Sequence, residues 1–221
     1  MHSNAIEEYK RSLKLSQRER EIIVGTLLGD GHLETRDSGR TYRLKIEHSI
    51  GQKDYVDWLY QELRPWVRKS PRARTITSAF TRKGGNACYG FTTYSHGALR
   101  FYGQQFYRGR IKVVPASIRK MLAPTSIAIW YLDDGSWKSN RHSTFIIHTH
   151  GYSQRELVRL QQALLKFRIQ TRLHRQVRES GTYWRMYIVS KSAEKFKELV
   201  IPTVSRIPSM SYKLGNILPK E

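Results

Sequence analysis

The chain has 221 residues, with 39 Lys and Arg against 18 Asp and Glu and a formal net charge of +21; this surplus exceeds what solubility requires and points to a polyanionic partner. No apolar run approaches the ~18 residues needed to span a bilayer, which sets membranes aside, while 39% hydrophobic residues with 5 Trp, 13 Tyr and 7 Phe exclude a disordered basic tail. The lone Cys88 excludes an internal disulfide framework and a Cys-rich zinc site, and Met1 is not followed by an apolar signal segment, so a reducing, intracellular setting is expected.

In chain order, the first strong element is Ser16 to Gly31. Ser16 and Glu19 stand at capping-box spacing, Ile22, Ile23, Leu27 and Leu28 follow, and Asp-Gly closes the segment, so a helix is predicted. Tyr42 to His48 alternates Tyr42, Leu44 and Ile46 with Arg43, Lys45 and Glu47, the pattern of a strand with one buried face. Residues 52 to 67 and 95 to 106 read as helices, and 72 to 94 as a hairpin around Lys83-Gly84-Gly85-Asn86. Pro115 to Pro124, bracketed by prolines, reads as a linker, after which the order of elements begins again. Thr125 to Gly135 is a second apolar segment ending in Asp-Gly. A strand from Thr144 to His150, a helix from Ser153 to about Phe167, strands at Thr171 to Val177 and Thr182 to Ser190, and a helix from Lys191 to about Val200 complete the chain. The expected division is 1–114, a linker at 115–124, and 125–221.

The repeat is supported by spacing, because duplicated units keep equivalent residues at a nearly constant offset. Asp30 and Asp134 are 104 positions apart, each directly before a glycine, in IVGTLLGDG (23–31) and IAIWYLDDG (127–135). Lys112 in IKVVP and Lys213 in YKLGN are 101 apart. A lone Asp-Gly at a helix end is a common turn; two of them with lysines at matched intervals are a stronger signal.

Both nonapeptides resemble the LAGLIDADG motif of homing endonucleases, two copies in one chain, and the resemblance covers essentially residues 16 to 218. It is closest to the single-chain, intron-encoded branch, in which a segment similar to IKVVP closes the first half. The resemblance implies an α+β fold of two pseudo-symmetric αββαββα domains with saddle-shaped antiparallel sheets and a two-helix interface. It implies that Asp30 and Asp134 bind catalytic divalent metal, Mg²⁺ with Mn²⁺ able to substitute, and that Lys112 and Lys213 serve the active sites. Gly29 and Asp133 complete the expected metal-site set; Asp133 offers a second side-chain ligand, while the family pattern assigns it a backbone or structural role, and both readings stay open. Leu28 and Leu132 stand where the family name has its first Asp, a position commonly apolar in relatives. Trp130 and Tyr131 are bulky for a helix interface.

Physical chemistry supports the transfer. Two helices bring their terminal acids together only if their backbones approach closely, which Gly25 and Ala128 permit, and Gly31 and Gly135 suit a left-handed turn beyond each helix end. Carboxylates held there suit Mg²⁺, which binds through one or two carboxylates plus substrate phosphate. Lys112 and Lys213 would offset developing phosphorane charge or polarise the attacking water.

In the family fold each sheet lies along the major groove, where base edges are distinguishable. The DNA-facing set expected here is Arg43, Lys45, Glu47, Arg72, Arg74, Arg82 and Lys83 in the first half, and Arg172, His174, Gln176, Tyr183, Arg185 and Tyr187 in the second. Trp184, Met186 and Ile188 would build the core. His148 and His150, two apart on a strand, have no third metal ligand evident and are expected in the core or groove; Cys88 is expected to be a buried small residue.

The function implied is a site-specific, metal-dependent double-strand break with 3′ overhangs at a long, asymmetric DNA target, promoting intron mobility. Two other classes are an RNA-binding maturase acting on the host intron and a catalytically silent DNA-binding regulator. Retention of both acids favours the nuclease. Two unlike halves in one chain imply a monomer, located wherever the host intron's DNA resides: bacterial or archaeal cytoplasm, or organelle matrix.

Overall fold

The structure, a computed structural model, describes residues 4–76, 86–138, 144–179 and 181–215. After a short amphipathic helix, α1 (Asn4–Ser12), the chain enters α2 (Gln17–Leu28) through the Ser16–Glu19 capping box, in which each side chain takes the other's orphan backbone N–H. Strands β1 (His32–Glu34) and β2 (Arg43–Ser49), helix α3 (Lys53–Glu62), strands β3 (Arg72–Ile76) and β4 (Asn86–Thr92) and helix α4 (Arg100–Phe106) follow. A minimal ribbon of β5 (Tyr107–Arg108) and β6 (Ile111–Lys112) leads to α5 (Ile118–Met121). The plan then recurs: α6 (Pro124–Asp134), β7 (Gly135–Trp137), β8 (Phe145–His148), α7 (Gln154–Leu165), β9 (Thr171–Arg178), β10 (Gly181–Ile188) and α8 (Ser190–Val204). From each apolar helix onward the order is αββαββα, as the repeat predicts.

The sheets repeat the same topology, β1-β2-β4-β3 and β7-β8-β10-β9, with every pair antiparallel. In β2, Leu44, Ile46 and His48 are buried, and in the second half Phe145, Ile147 and Thr149 take the corresponding places. One hydrophobic core runs through both halves. At its centre α2 packs against α6. A Cβ added at Gly25 would lie 2.7 Å from the Ser126 carbonyl and 2.8 Å from Ile129 Cβ, so the backbone approach needs a glycine there. Ala128 is wholly buried on the same helix, and Ser126 Oγ donates to the Glu21 carbonyl at 2.9 Å.

The segment Pro115 to Pro124 carries a short helix, α5, and buries Ile118 and Leu122. Several expectations are corrected. The helix predicted at 52–67 stops at Glu62, with a 3-10 turn at Arg64–Trp66, and that at 95–106 starts as a 3-10 turn before α4. The last helix runs on to Val204 through Pro202. Gly31 and Gly135 adopt no left-handed turn: Gly135 has φ −87° and ψ 157°, and neither is among the residues with positive φ. They are small for steric reasons. A Cβ at Gly135 would collide with the Tyr131 ring and carbonyl, and one at Gly31 would lie 2.9 Å from Thr26 Cβ.

Trp130 and Tyr131, bulky as they are, are both fully buried. The Tyr131 ring meets Phe145 and Phe196 edge-on, with centroids at 5.6 and 5.1 Å, and its hydroxyl donates to the Lys213 carbonyl at 2.5 Å. Tyr131→Phe keeps the ring and leaves that carbonyl without its donor, at an expected loss of about 1 kcal/mol. This corresponds to a melting temperature lower by about 2–4 °C, and an unchanged calorimetric melt would show that the bond contributes nothing.

Candidate active site and nucleic-acid interface

The ends of α2 and α6 bring the two Asp-Gly turns to one place. The relation between each acid and its lysine is the same in both halves. Lys112 Nζ, on β6, donates to the carbonyls of Gly29 and Gly31, both at 2.7 Å, and so brackets Asp30. Lys213 Nζ donates to Gly135 O at 2.7 Å and Asp133 O at 3.4 Å, and so brackets Asp134. The matched intervals in the sequence therefore correspond to a matched contact: each lysine fixes the peptide groups on either side of its acid. Burial lowers the pKa of both lysines, while the aspartates Asp133, Asp134 and Asp30 oppose that shift.

The acids differ in their surroundings. The Asp30 side chain is 52% exposed. Burial, reinforced by the charges of Asp133 and Asp30, pushes Asp134 up to about 8, against the favourable influence of Lys112. The Asp133 side chain is completely buried; burial and the charge of Asp30 push it up to about 7, although Tyr55 and the Asp30 amide stabilise its carboxylate. Carboxylates gathered in this way form a donor set suited to a divalent cation, whose charge favours the ionised forms.

Two residues that sequence reasoning did not single out complete the cluster. The Tyr55 hydroxyl, from α3, donates to Asp133 Oδ1 at 2.7 Å, and the Asp30 amide donates to Asp133 Oδ2 at 3.0 Å. His48, from β2, lies with Nδ1 3.5 Å from Asp30 Oδ2 and Nε2 3.7 Å from Asp133 Oδ1. Among the described residues, Asp30, His48 and Asp133 are the group of three close enough to share one metal ion. A signal for His48 was available, since it is an ionisable residue on the apolar side of an alternating strand. Nothing in the sequence marks Tyr55. Gly29 is glycine for a tertiary reason: a Cβ there would fall inside the Asp133 carboxylate.

The outer faces of the sheets carry the expected basic residues. In the first sheet Arg43, Lys45 and Glu47 share a face, and the pairing of β3 with β4 sets Arg72 opposite Gly90 and Arg74 opposite Cys88. Glu47 takes ion pairs from Arg74 and Lys45, and Glu34 from Arg43. Arg82 and Lys83 lie outside the described residues. In the second sheet Arg172 stands opposite Tyr187, His174 opposite Arg185, and Gln176 opposite Tyr183, so the two predicted sets form one surface. His148 is aligned with Arg185 on it and approaches Ser136 Oγ at 3.0 Å. Gln176 Oε1 and Arg185 Nε are buried with no protein partner for hydrogen bonding. Behind this surface Met186 and Ile188 are buried and Trp184 packs against the core. Cys88 is half-buried rather than buried.

Comparison with known proteins agrees with this arrangement. The model of the LAGLIDADG DNA endonuclease family matches residues 20–196. The DNA endonuclease I-ChuI of Chlamydomonas applanata is 29% identical over 215 residues, covering 92% of this chain and 97% of that protein. The cytochrome b mRNA maturase bI2 of Saccharomyces cerevisiae is 29% identical over 218 residues, covering 89% of this chain but 47% of the maturase. The structure of the homing endonuclease I-WcaI bound to its DNA recognition sequence superposes with a TM-score of 0.83 at 24% identity, over 96% of this chain and 93% of that one, a likeness of fold. Among the described residues no helix is long and apolar enough to cross a membrane.

Proposed function

The chain belongs to the LAGLIDADG DNA endonuclease family, and from that premise we propose that it is a homing endonuclease making a double-strand break with 3′ overhangs at a long, asymmetric DNA site, promoting intron mobility. The observation that carries this reading is the pair of Asp-Gly turns at the ends of two packed helices, each bracketed by its own lysine. The halves divide at 115–124, and their internal pseudo-twofold pairing makes a monomer the expected state.

Asp30 and Asp134 would hold the divalent metal, Mg²⁺ with Mn²⁺ able to substitute, and when bound it would supply charge to ionise water and stabilise the leaving oxygen. Gly29 and Asp133 contribute through position: the Gly29 carbonyl is held by Lys112, and both Asp133 oxygens already accept protein hydrogen bonds. Lys112 and Lys213 fix the direction in which each acid projects and add positive charge where phosphate charge develops. The two basic sheet faces would take the duplex, with phosphate contacts holding register and base contacts setting sequence.

A second reading, RNA binding in support of host-intron splicing, is favoured by the similarity to the maturase bI2, of which this chain spans about half. The test is incubation of purified protein with the intronless host allele in Mg²⁺ and in EDTA, beside binding of the intron transcript. Metal-dependent double-strand cutting is expected; tight binding of RNA with no cutting of DNA in any metal would sink the nuclease reading.

A further inference from the structure

The two acids are matched in their lysines and in the glycine that follows each, and unmatched in the side chains that surround them. Asp133 precedes Asp134, whereas the equivalent position 104 residues earlier is Gly29. The register that aligns Lys45 with His32 in the first sheet and Ile146 with Ser136 in the second makes Thr149 the counterpart of His48. Thr149 gives its hydroxyl to the Trp184 carbonyl at 2.9 Å and so faces its own sheet. Around Asp30, by contrast, side chains from β2, α3 and α6 converge.

Resting on the nuclease reading above, we propose that the side chains of Tyr55, His48 and Asp133 are positioning groups for Asp30 and not for Asp134, so that cleavage of the two DNA strands depends on different side chains. The contacts form a closed ring. The Tyr55 hydroxyl holds Asp133 Oδ1, Asp133 Oδ2 holds the Asp30 amide, and the His48 ring lies between both carboxylates while packing on Tyr55 with centroids 5.0 Å apart. Tyr55 is 0% exposed, and the side chains of His48 and Asp133 are 2% and 0% exposed, so water does not stand in for any member. A fixed amide on Asp30 restricts the backbone torsion beside its carboxylate, which is half exposed. Reaction geometry is sensitive to displacements of about 1 Å, so loosening this ring slows the cut that Asp30 serves and spares the other.

The test uses the full chain and a supercoiled plasmid bearing the cleaved site, with each strand end-labelled in parallel linear duplexes. Tyr55→Phe and His48→Ala are expected to slow one strand at least tenfold more than the other, so that nicked circles accumulate. His48→Gln, which keeps a hydrogen-bonding group, is expected to recover most of the lost rate, and Thr149→Val to keep the parental strand ratio. Duplex affinity in Ca²⁺ and the melting temperature report whether each variant folds and binds; Tyr55→Phe, which removes one oxygen, keeps the comparison available if His48→Ala does not fold. Equal slowing of both strands, or none, overturns the inference alone. Parent protein that cuts neither strand overturns the nuclease reading and this inference with it.

Discussion

Asp30→Asn and Asp134→Asn are each expected to lower double-strand cleavage by at least about 10³-fold, equivalent to about 4 kcal/mol of transition-state stabilisation. The substitution preserves shape and removes the charge and one oxygen ligand. The fold should not suffer. Burial and the neighbouring carboxylates already push Asp134 up to about 8, so its charged form is disfavoured in the metal-free protein, and a neutral amide relieves that repulsion. Asp134→Asn is therefore expected to melt at or above the parent temperature in EDTA while losing activity in Mg²⁺. This opposition between stability and activity separates a site for chemistry from a structural acid. Cutting that survives in either variant at more than a tenth of the parental rate would remove that aspartate from the proposed metal site.

Gly25→Val carries the largest expected effect on stability, about 3 kcal/mol or more. A Cβ at Gly25 meets the Ser126 carbonyl and the Ile129 side chain on the facing helix. A backbone carbonyl has no alternative rotamer, so α2 and α6 must move apart. A loss of that size lowers the melting temperature by roughly 6–12 °C for a chain of this length. The same displacement separates the Asp30 and Asp134 turns, so activity should fall below what the melt accounts for even at temperatures where the variant is folded. A variant that melts within 2 °C of the parent would show that the interface accommodates a branched side chain and that helix approach is not set at Gly25.

Much of this architecture was legible because it is written in local chemistry. The capping box at Ser16–Glu19 marks where a helix begins, and alternation along Tyr42–His48 distinguishes the core side of the strand from its basic side. Duplication added a long-range signal, since a nearly constant offset relates Asp30 to Asp134 and Lys112 to Lys213 without any knowledge of the fold. What those lysines touch was not legible: they hold carbonyls flanking the acids, and carbonyls have no identity in a sequence. Gly31 and Gly135 show the limit from the other side, because a glycine after a helix suggests a left-handed turn, and only the positions of Thr26 and Tyr131 reveal that a collision requires it. The ring of Tyr55, His48 and Asp133 around Asp30 joins residues up to 103 positions from it, each on a separate element. Local patterns record which backbone forms and which face is buried, since those depend on neighbours in the chain. The meeting of three elements at one carboxylate depends on how the two halves pack, and that was decided by the tertiary structure.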